Sequence, residues 1–193
     1  MSLYKKLFGY FLILFSLLTI LLIGFPQVFT GNDGGRINKE FTVKANFLDN
    51  ETSNVVLLYF GYVGCSTVCL PSLSEINTIY SQTVKNKNVS VYFVNLLTNT
   101  GTEAAQIFAT QFNADFKGIQ FDKNTLKEVT SEFDVVYSQS PFDDYELNHA
   151  GFLYLSKKDT LTNQYKQKYL YTTRPCNIDM IINDINKLNK QKD

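Results

Sequence analysis

The sequence lacks several features that would point to particular classes of protein. It has no excess of charge, since 18 basic side chains balance 18 acidic ones, and nucleic-acid binding normally requires a basic surface. It has only three cysteines, too few for a small scaffold held by several disulfides. It has no tryptophan, yet 45% of its residues are hydrophobic and 15% are aromatic, which is too apolar for a disordered chain. We therefore set aside a nucleic-acid partner and predict one folded domain with a single core.

The N-terminal segment differs from the rest of the chain. Residues 7–25 carry no charge, and a helix of about nineteen residues can cross the core of a bilayer. Lys5 and Lys6 precede this stretch and the next basic residue is Arg36, which predicts a cytoplasmic N-terminus and a domain outside the cytoplasm. The sequence thus predicts a membrane anchor within residues 1–30, a flexible tether over 31–36 and a folded domain over 37–193.

A cleaved signal peptide is the alternative explanation for this segment. Its apolar region is normally about 7–15 residues long and ends in small residues, whereas the apolar stretch here is followed by GFPQVFT at residues 24–30. A retained single-pass anchor is the preferred interpretation. The segment also lacks the arginine-rich character of a mitochondrial transit sequence, which favours a bacterial inner membrane with the domain in the periplasm.

Short apolar stretches alternate with helical patterns along the predicted domain. Residues 54–60 and 89–97 are apolar runs typical of buried strands, and apolar residues three and four positions apart follow each of them. Later strands are predicted over 118–121, 150–155 and 168–172, with an irregular loop over 138–148 and a last amphipathic helix from residue 178. This order predicts an α/β, thioredoxin-like fold with a central mixed sheet flanked by helices, preceded by one N-terminal transmembrane helix.

Two of the cysteines, Cys65 and Cys69, follow a predicted buried strand at the start of a predicted helix. Backbone N–H groups and the helix dipole stabilise a thiolate at such a position, which lowers the pKa of Cys65 and makes it reactive. A separation of four residues brings both sulfurs to one face, close enough for a strained disulfide or for two bonds to one metal ion. Thiol–disulfide exchange and metal binding are therefore both possible uses of the pair. Two buried thiols without a chemical function are disfavoured in a domain outside the cytoplasm.

The single histidine, His149, stands between a polar loop and an apolar strand. Ligands gather at the carboxyl ends of parallel strands and in adjoining loops, so this position favours a meeting with Cys65 and Cys69. Two thiolates and one imidazole suit Cu(I) in a three-coordinate site, whereas zinc normally requires a fourth ligand. Cys176 is a candidate for that fourth place, but it lies in a turn before the last helix, and we interpret it as a lone packed thiol.

Two separated motifs resemble the Sco/SenC copper-chaperone family. They are FGYVGCSTVCLPSL at residues 60–73, and NHA at 148–150 ahead of FLYL at 152–155. The resemblance implies a thioredoxin-like domain behind one membrane anchor, with copper bound by Cys65, Cys69 and His149. Cu(I) is favoured and Cu(II) is possible. The resemblance also implies a metallochaperone that assists the assembly of the copper centre of a terminal oxidase. Its implied partner is a copper-accepting oxidase subunit or another extracytoplasmic copper or thiol protein.

The chain departs from the usual sequence pattern of that family at several polar positions and directly after the second cysteine. These positions are Ser66, Thr67, Leu70, Asn95 and Asn148. Asn95 and Asn148 stand where acidic residues are usual, and the lost carboxylates remove negative charge that would stabilise Cu(II) or tune the thiols. The alternative to a metallochaperone is therefore an enzyme, an extracytoplasmic thiol–disulfide oxidoreductase that uses the Cys65/Cys69 pair as its catalytic residues.

Overall fold

The computed structural model describes residues 3–29, 34–83, 88–143 and 146–191. The chain divides into two compact units, Met1–Gly34 and Gly35–Asp193. In the first unit a single helix, α1, spans Leu3–Phe29. Within the part of the chain that the structure describes, no helix has both the length and the apolar character needed to cross a membrane. The predicted transmembrane helix is therefore not supported, and residues 31–33 of the predicted tether lie outside the described residues.

Among the described residues, the second unit is built on two sheets, four α-helices and a short 3-10 helix at Asn46–Leu48. In chain order its elements are β1 (Arg36–Val43), β2 (Val55–Gly61), α2 (Cys69–Thr83), β3 (Val89–Asn95), α3 (Ala104–Thr110), β4 (Lys117–Gln120), α4 (Lys123–Glu132), β5 (Tyr137–Gln139), β6 (Leu147–His149), β7 (Leu153–Lys158), β8 (Tyr165–Tyr171) and α5 (Ile178–Lys190). The larger sheet has the strand order β1-β8-β7-β2-β3-β4, and β5 pairs with β6 separately.

The larger sheet combines both strand directions. β2 runs parallel to β3 and β3 runs parallel to β4, whereas β7 pairs antiparallel with both β2 and β8. The edge strand β1 pairs antiparallel with β8. A mixed central sheet flanked by helices is the predicted thioredoxin-like α/β architecture, and this part of the prediction is confirmed.

The central strand β2 is buried and leads directly into the segment before α2. All of its residues are buried, because β3 and β7 cover its two edges and the continuous apolar sequence can pack on both faces. The helix that follows, α2, buries Leu73, Ile76 and Tyr80 and contacts α5. Asn177 begins α5 by accepting a hydrogen bond from the Met180 N–H, as an N-cap residue does. The segment between β2 and α2 therefore lies at the carboxyl end of β2.

Three segments differ from the sequence-based prediction. The predicted loop over 138–148 begins and ends in short paired strands, with Tyr137 opposite His149 and Gln139 opposite Leu147. The strand predicted from residue 150 begins at Leu153. The strand β1 has a mostly polar sequence with an irregular burial pattern. Its polar and apolar residues therefore alternate too weakly to predict a strand. The strands β5 and β6 have three residues each, too few to show an alternation of polar and apolar residues.

Candidate metal centre

The two cysteines come from the junction between β2 and α2. Cys65 lies in the turn, and Cys69 is the first residue of α2, so the helix begins at the second cysteine and not at the first as predicted. The first N–H groups of a helix lack partners within the helix, and the Cys69 N–H donates to Cys65 Sγ at 3.4 Å. Both residues are buried, with exposed fractions of 2% for Cys65 and 0% for Cys69.

The histidine reaches the thiols from the separate hairpin. His149 is the last residue of β6, and its Nε2 lies 3.8 Å from Cys65 Sγ and 3.6 Å from Cys69 Sγ. The ligand atoms of these three residues all lie within 4.8 Å of one another. The structure therefore brings together the three residues that the sequence analysis selected, and Cys176 is not a member of this group.

Two tyrosine rings surround the imidazole. Tyr59 and Tyr62 meet His149 edge to face, with ring centroids 6.4 Å and 5.7 Å away. The Nδ1 atom of His149 is buried and has no hydrogen-bond partner among the described residues. Packing therefore fixes the orientation of the ring with Nε2 towards the sulfurs, and Nε2 can bind a metal ion when its lone pair does not carry a proton. This arrangement fits a metal ion bound between the three ligand atoms.

The two thiols differ in their electrostatic state. The Cys69 thiol donates a hydrogen bond to Cys65 and lowers the pKa of Cys65 strongly, against the effect of burial. His149 and the backbone N–H groups of Val68 and Cys69 lower that pKa further. The pKa of Cys69 is raised because its proton is held by Cys65 and because the thiol is buried. The free site thus contains one thiolate and one thiol, and a metal ion must displace the shared proton to bind both sulfurs.

Two glycines make room for the site. A Cβ atom on Gly61 would lie 2.6 Å from Cys69 Sγ, so any larger residue would push the sulfur away. Gly151 has a φ of 62°, which favours glycine, and a Cβ atom there would lie 2.8 Å from Val68 Cγ1. Gly151 thereby allows the chain to turn from β6 into β7 against the segment that carries the cysteines.

Asn95 supports the cysteine turn through its side-chain amide. It is fully buried, and its Oδ1 accepts hydrogen bonds from the N–H groups of Val63 at 3.1 Å and Leu97 at 3.3 Å. Its Nδ2 donates to the Gln120 side chain at 2.6 Å. A carboxylate has no N–H to donate, so the amide suits this position, whereas Asn148 is exposed on β6. Sequence reasoning treated both residues only as missing acids and missed the positioning role of Asn95.

Sequence reasoning also missed the residues that enclose the site from other segments. Tyr59 and Tyr62 lie close to Cys65 in the chain, and the only signal for them is the aromatic character of the strand end. Gly151 stands two residues after His149, where a turn residue is expected. Arg174 comes from the segment between β8 and α5 and contacts the Gly151 carbonyl. No local pattern in the sequence indicates that long-range contact.

A thioredoxin-like sheet with two thiols and an imidazole at the end of its central strand defines a class of domain that handles thiols or soft metal ions. A family model described as SCO1/SenC matches residues 42–189, which is most of the chain. This protein belongs to the SCO1/SenC family.

Relatives with known names agree with this assignment. The SCO2-like protein of Rickettsia conorii is 29% identical over 113 residues, which cover 55% of each chain. The mitochondrial SCO2 homolog of Bos taurus is 26% identical over 117 residues, which cover 57% of this chain and 44% of the bovine one. This chain thus spans about half the length of the relatives that it matches.

Solved structures share the fold. Apo Sco1 from Thermus thermophilus matches with a TM-score of 0.64 at 22% identity, over 81% of this chain and 96% of that chain. Copper-bound ScoI from Arabidopsis thaliana matches with a TM-score of 0.62 at 17% identity, over 81% of this chain and 99% of the other. At these identities, the likeness establishes the common fold of the domain.

Proposed function

We propose that this protein is a copper metallochaperone that carries one copper ion as cargo on Cys65, Cys69 and His149. The observation that carries the proposal is the position of His149 Nε2, 3.6 Å and 3.8 Å from the two sulfurs. Two thiolates and one imidazole form a soft set of ligands, which favours Cu(I). The copper-bound ScoI proteins of Arabidopsis thaliana and Bradyrhizobium japonicum have the same fold, which supports copper as the cargo.

The geometry indicates how the ion enters and leaves. Cys65 already carries a thiolate, and uptake of Cu(I) replaces the proton that Cys69 shares with it, so one proton is released for each ion bound. The two cysteines are buried, whereas His149 is half-buried. The imidazole is therefore the ligand nearer to solvent, and exchange of this ligand for one from an acceptor is the expected first step of transfer.

We also propose an acceptor and a location. The acceptor is a copper-accepting subunit of a terminal oxidase or another extracytoplasmic copper or thiol protein, which membership of the SCO1/SenC family supports. The protein is attached by its N-terminal segment to a bacterial inner membrane, with residues 37–193 in the periplasm. The uncharged stretch over 7–25 and the positions of Lys5 and Lys6 support this orientation.

The proposal is tested by Cu(I) titration of the reduced, full-length protein against a competing chelator. We expect one tightly bound ion per chain and a loss of affinity of about 100-fold in His149→Ala, since the variant removes one of three ligands. Asn148→Ala is the matched control, because Asn148 is the exposed neighbour of His149 on β6. Equal affinity in His149→Ala and the parent would rule out the three-ligand site, and no binding by the parent would rule out the chaperone.

A thiol–disulfide oxidoreductase is the second candidate, favoured by the opposite pKa shifts of the two cysteines. The Cys65 thiolate would attack a partner disulfide, form a mixed disulfide and release one partner thiolate. Cys69, after losing its proton, would then attack Cys65, form the intramolecular disulfide and release the second partner thiolate. Disulfide exchange that persists in His149→Ala while copper binding is lost would separate the two activities.

A further inference from the structure

Arg174 brings a positive charge close to the candidate copper site from another part of the chain. Its guanidinium donates hydrogen bonds to the Gly151 carbonyl and to Cys176 Sγ, and to the Thr173 carbonyl at 3.0 Å. These contacts hold the group over the ring of Tyr59, with Cζ 5.9 Å from the ring centroid.

The Tyr59 ring contacts both this charge and one of the ligands. The ring meets His149 edge to face at 6.4 Å, and Gly61 adjoins both the ring and Cys69 Sγ. Burial raises the pKa of Tyr59, whereas the charge of Arg174 acts in the opposite direction. The charge of Arg174 therefore acts on the Tyr59 hydroxyl, and Arg174 contacts a ring that itself contacts the ligand His149.

A carboxylate lies close to Arg174. Glu75 lines the same surface groove of about 320 Å³ as Arg174, together with Thr67, Val68 and Ser72. Its carboxylate accepts a hydrogen bond from the Cys176 N–H at 3.0 Å. The polar residues at the positions discussed above, Asn95 and Asn148, are uncharged. Arg174 and Glu75 thus place opposite charges in the same groove.

We propose that the positive charge of Arg174 makes the site bind monovalent Cu(I) in preference to a divalent ion that also favours thiolate ligands. The inference rests on the proposed copper function and extends it to the oxidation state. Two thiolates and a neutral imidazole leave one negative charge with Cu(I) bound and no net charge with a divalent ion bound. A nearby cation stabilises the negative complex relative to the neutral one, whatever the protonation of the free site.

The size of the effect follows from Coulomb's law. The guanidinium lies 5.9 Å from the Tyr59 centroid, which lies 6.4 Å from the imidazole centroid. One unit of charge at most about 12 Å away, at an effective dielectric constant of about 20, changes the ratio of the two affinities roughly tenfold. A general loosening of the site weakens both ions and leaves their ratio nearly unchanged. The ratio is therefore the quantity that distinguishes the charge of Arg174 from its structural contacts.

The test measures Cu(I) and Cd(II) affinities of the reduced, full-length protein, each against a competing chelator. Cd(II) serves as a thiophilic divalent ion that does not oxidise the thiols. We expect Arg174→Gln to lower the ratio of Cu(I) to Cd(II) affinity about fivefold or more, and Arg174→Lys to keep it. Glu75→Gln removes the opposite charge from the same groove and should raise the ratio.

Each outcome decides the inference. An unchanged ratio in Arg174→Gln, or the same fall in Arg174→Lys, would show that charge at this position does not set the selectivity. If Arg174→Gln does not fold, Glu75→Gln decides alone, and an unaltered or lowered ratio overturns the inference. Failure of the parent protein to bind Cu(I) would instead contradict the proposed function itself.

Discussion

Two clusters of buried polar groups in the same domain differ in how completely their hydrogen bonds are satisfied. The first surrounds Glu51, just before β2. Its carboxylate accepts hydrogen bonds from Tyr92 at 2.6 Å, from the Thr52 N–H at 2.8 Å and from the Ser53 N–H at 2.9 Å, and it pairs with Lys117. The second cluster is the Cys65, Cys69 and His149 site beyond the carboxyl end of β2.

The site cluster retains unused bonding capacity. His149 Nδ1 is buried without a partner among the described residues, and the two sulfurs share a single proton. A closed network such as that of Glu51 fixes the fold, because each group already has its partners. An open cluster held in place by surrounding packing is prepared for a further ligand. We therefore expect copper affinity to depend on the packing around the site and the free energy of unfolding to depend on the Glu51 cluster.

The largest effect is expected where packing touches a ligand directly. Gly61→Ala places a methyl group 2.6 Å from Cys69 Sγ and 3.0 Å from Tyr59 Cε1, so the sulfur must move. We expect Cu(I) affinity to fall about 100-fold, because ligand geometry controls metal affinity, and the free energy of unfolding to fall by about 1–3 kcal/mol. Chelator competition and urea unfolding measure the two quantities.

Gly101→Ala is the control for that substitution, since a Cβ atom on Gly101 has nothing within 4 Å. It should leave the Cu(I) affinity unchanged. Parent-like copper affinity in Gly61→Ala would mean that the position of Cys69 Sγ does not determine binding.

The second effect is expected at the closed cluster and depends on pH. Burial raises the pKa of Glu51, but hydrogen bonds from Lys117 and Tyr92 lower it more, to about 2. A carboxyl group with a lowered pKa stabilises the fold fully above its ordinary pKa of about 4.5, and this contribution disappears as the pH falls towards about 2. Glu51→Gln should therefore lower the free energy of unfolding by about 2 kcal/mol at pH 7, and the difference from the parent should vanish at acidic pH.

Urea unfolding from pH 7 down to pH 2 measures this difference, with Cu(I) affinity at pH 7 as the readout for the other cluster. The control is Glu40→Gln, because Glu40 is 77% exposed in its ion pair with Lys168 and should cause no measurable loss. A large change in copper affinity in Glu51→Gln would show that the two clusters are not independent.

The same contrast explains what could be predicted from the sequence. The continuous apolar run of β2 and the Cys65 to Cys69 spacing are local patterns, and both predictions agree with the structure. The meeting of His149 with the thiols depends on a hairpin whose strands have three residues each, too short for any periodicity. The roles of Asn95 and Arg174 depend on contacts between distant segments, which no local pattern contains. The transmembrane character of α1 was predicted from composition and is not supported by the described structure.

The smallest effect is expected at Cys176, which marks the boundary between the site and the surrounding fold. Burial raises the pKa of Cys176 to about 12, and its sulfur accepts a hydrogen bond from Arg174. A buried neutral thiol with these contacts contributes packing but no bond to copper. Cys176→Ser should therefore retain one copper per chain and change the Cu(I) affinity less than about twofold, with a loss of unfolding free energy of about 1 kcal/mol.

Copper stoichiometry, chelator competition and urea unfolding of Cys176→Ser check this prediction. The matched comparison is Cys69→Ser, which keeps the same change of sulfur to oxygen but removes a proposed ligand, and which should lose tight binding. If Cys176→Ser lost copper as Cys69→Ser does, the site would include a fourth ligand. Zinc would then become a plausible cargo, because two thiolates, an imidazole and a third thiolate complete a tetrahedral set.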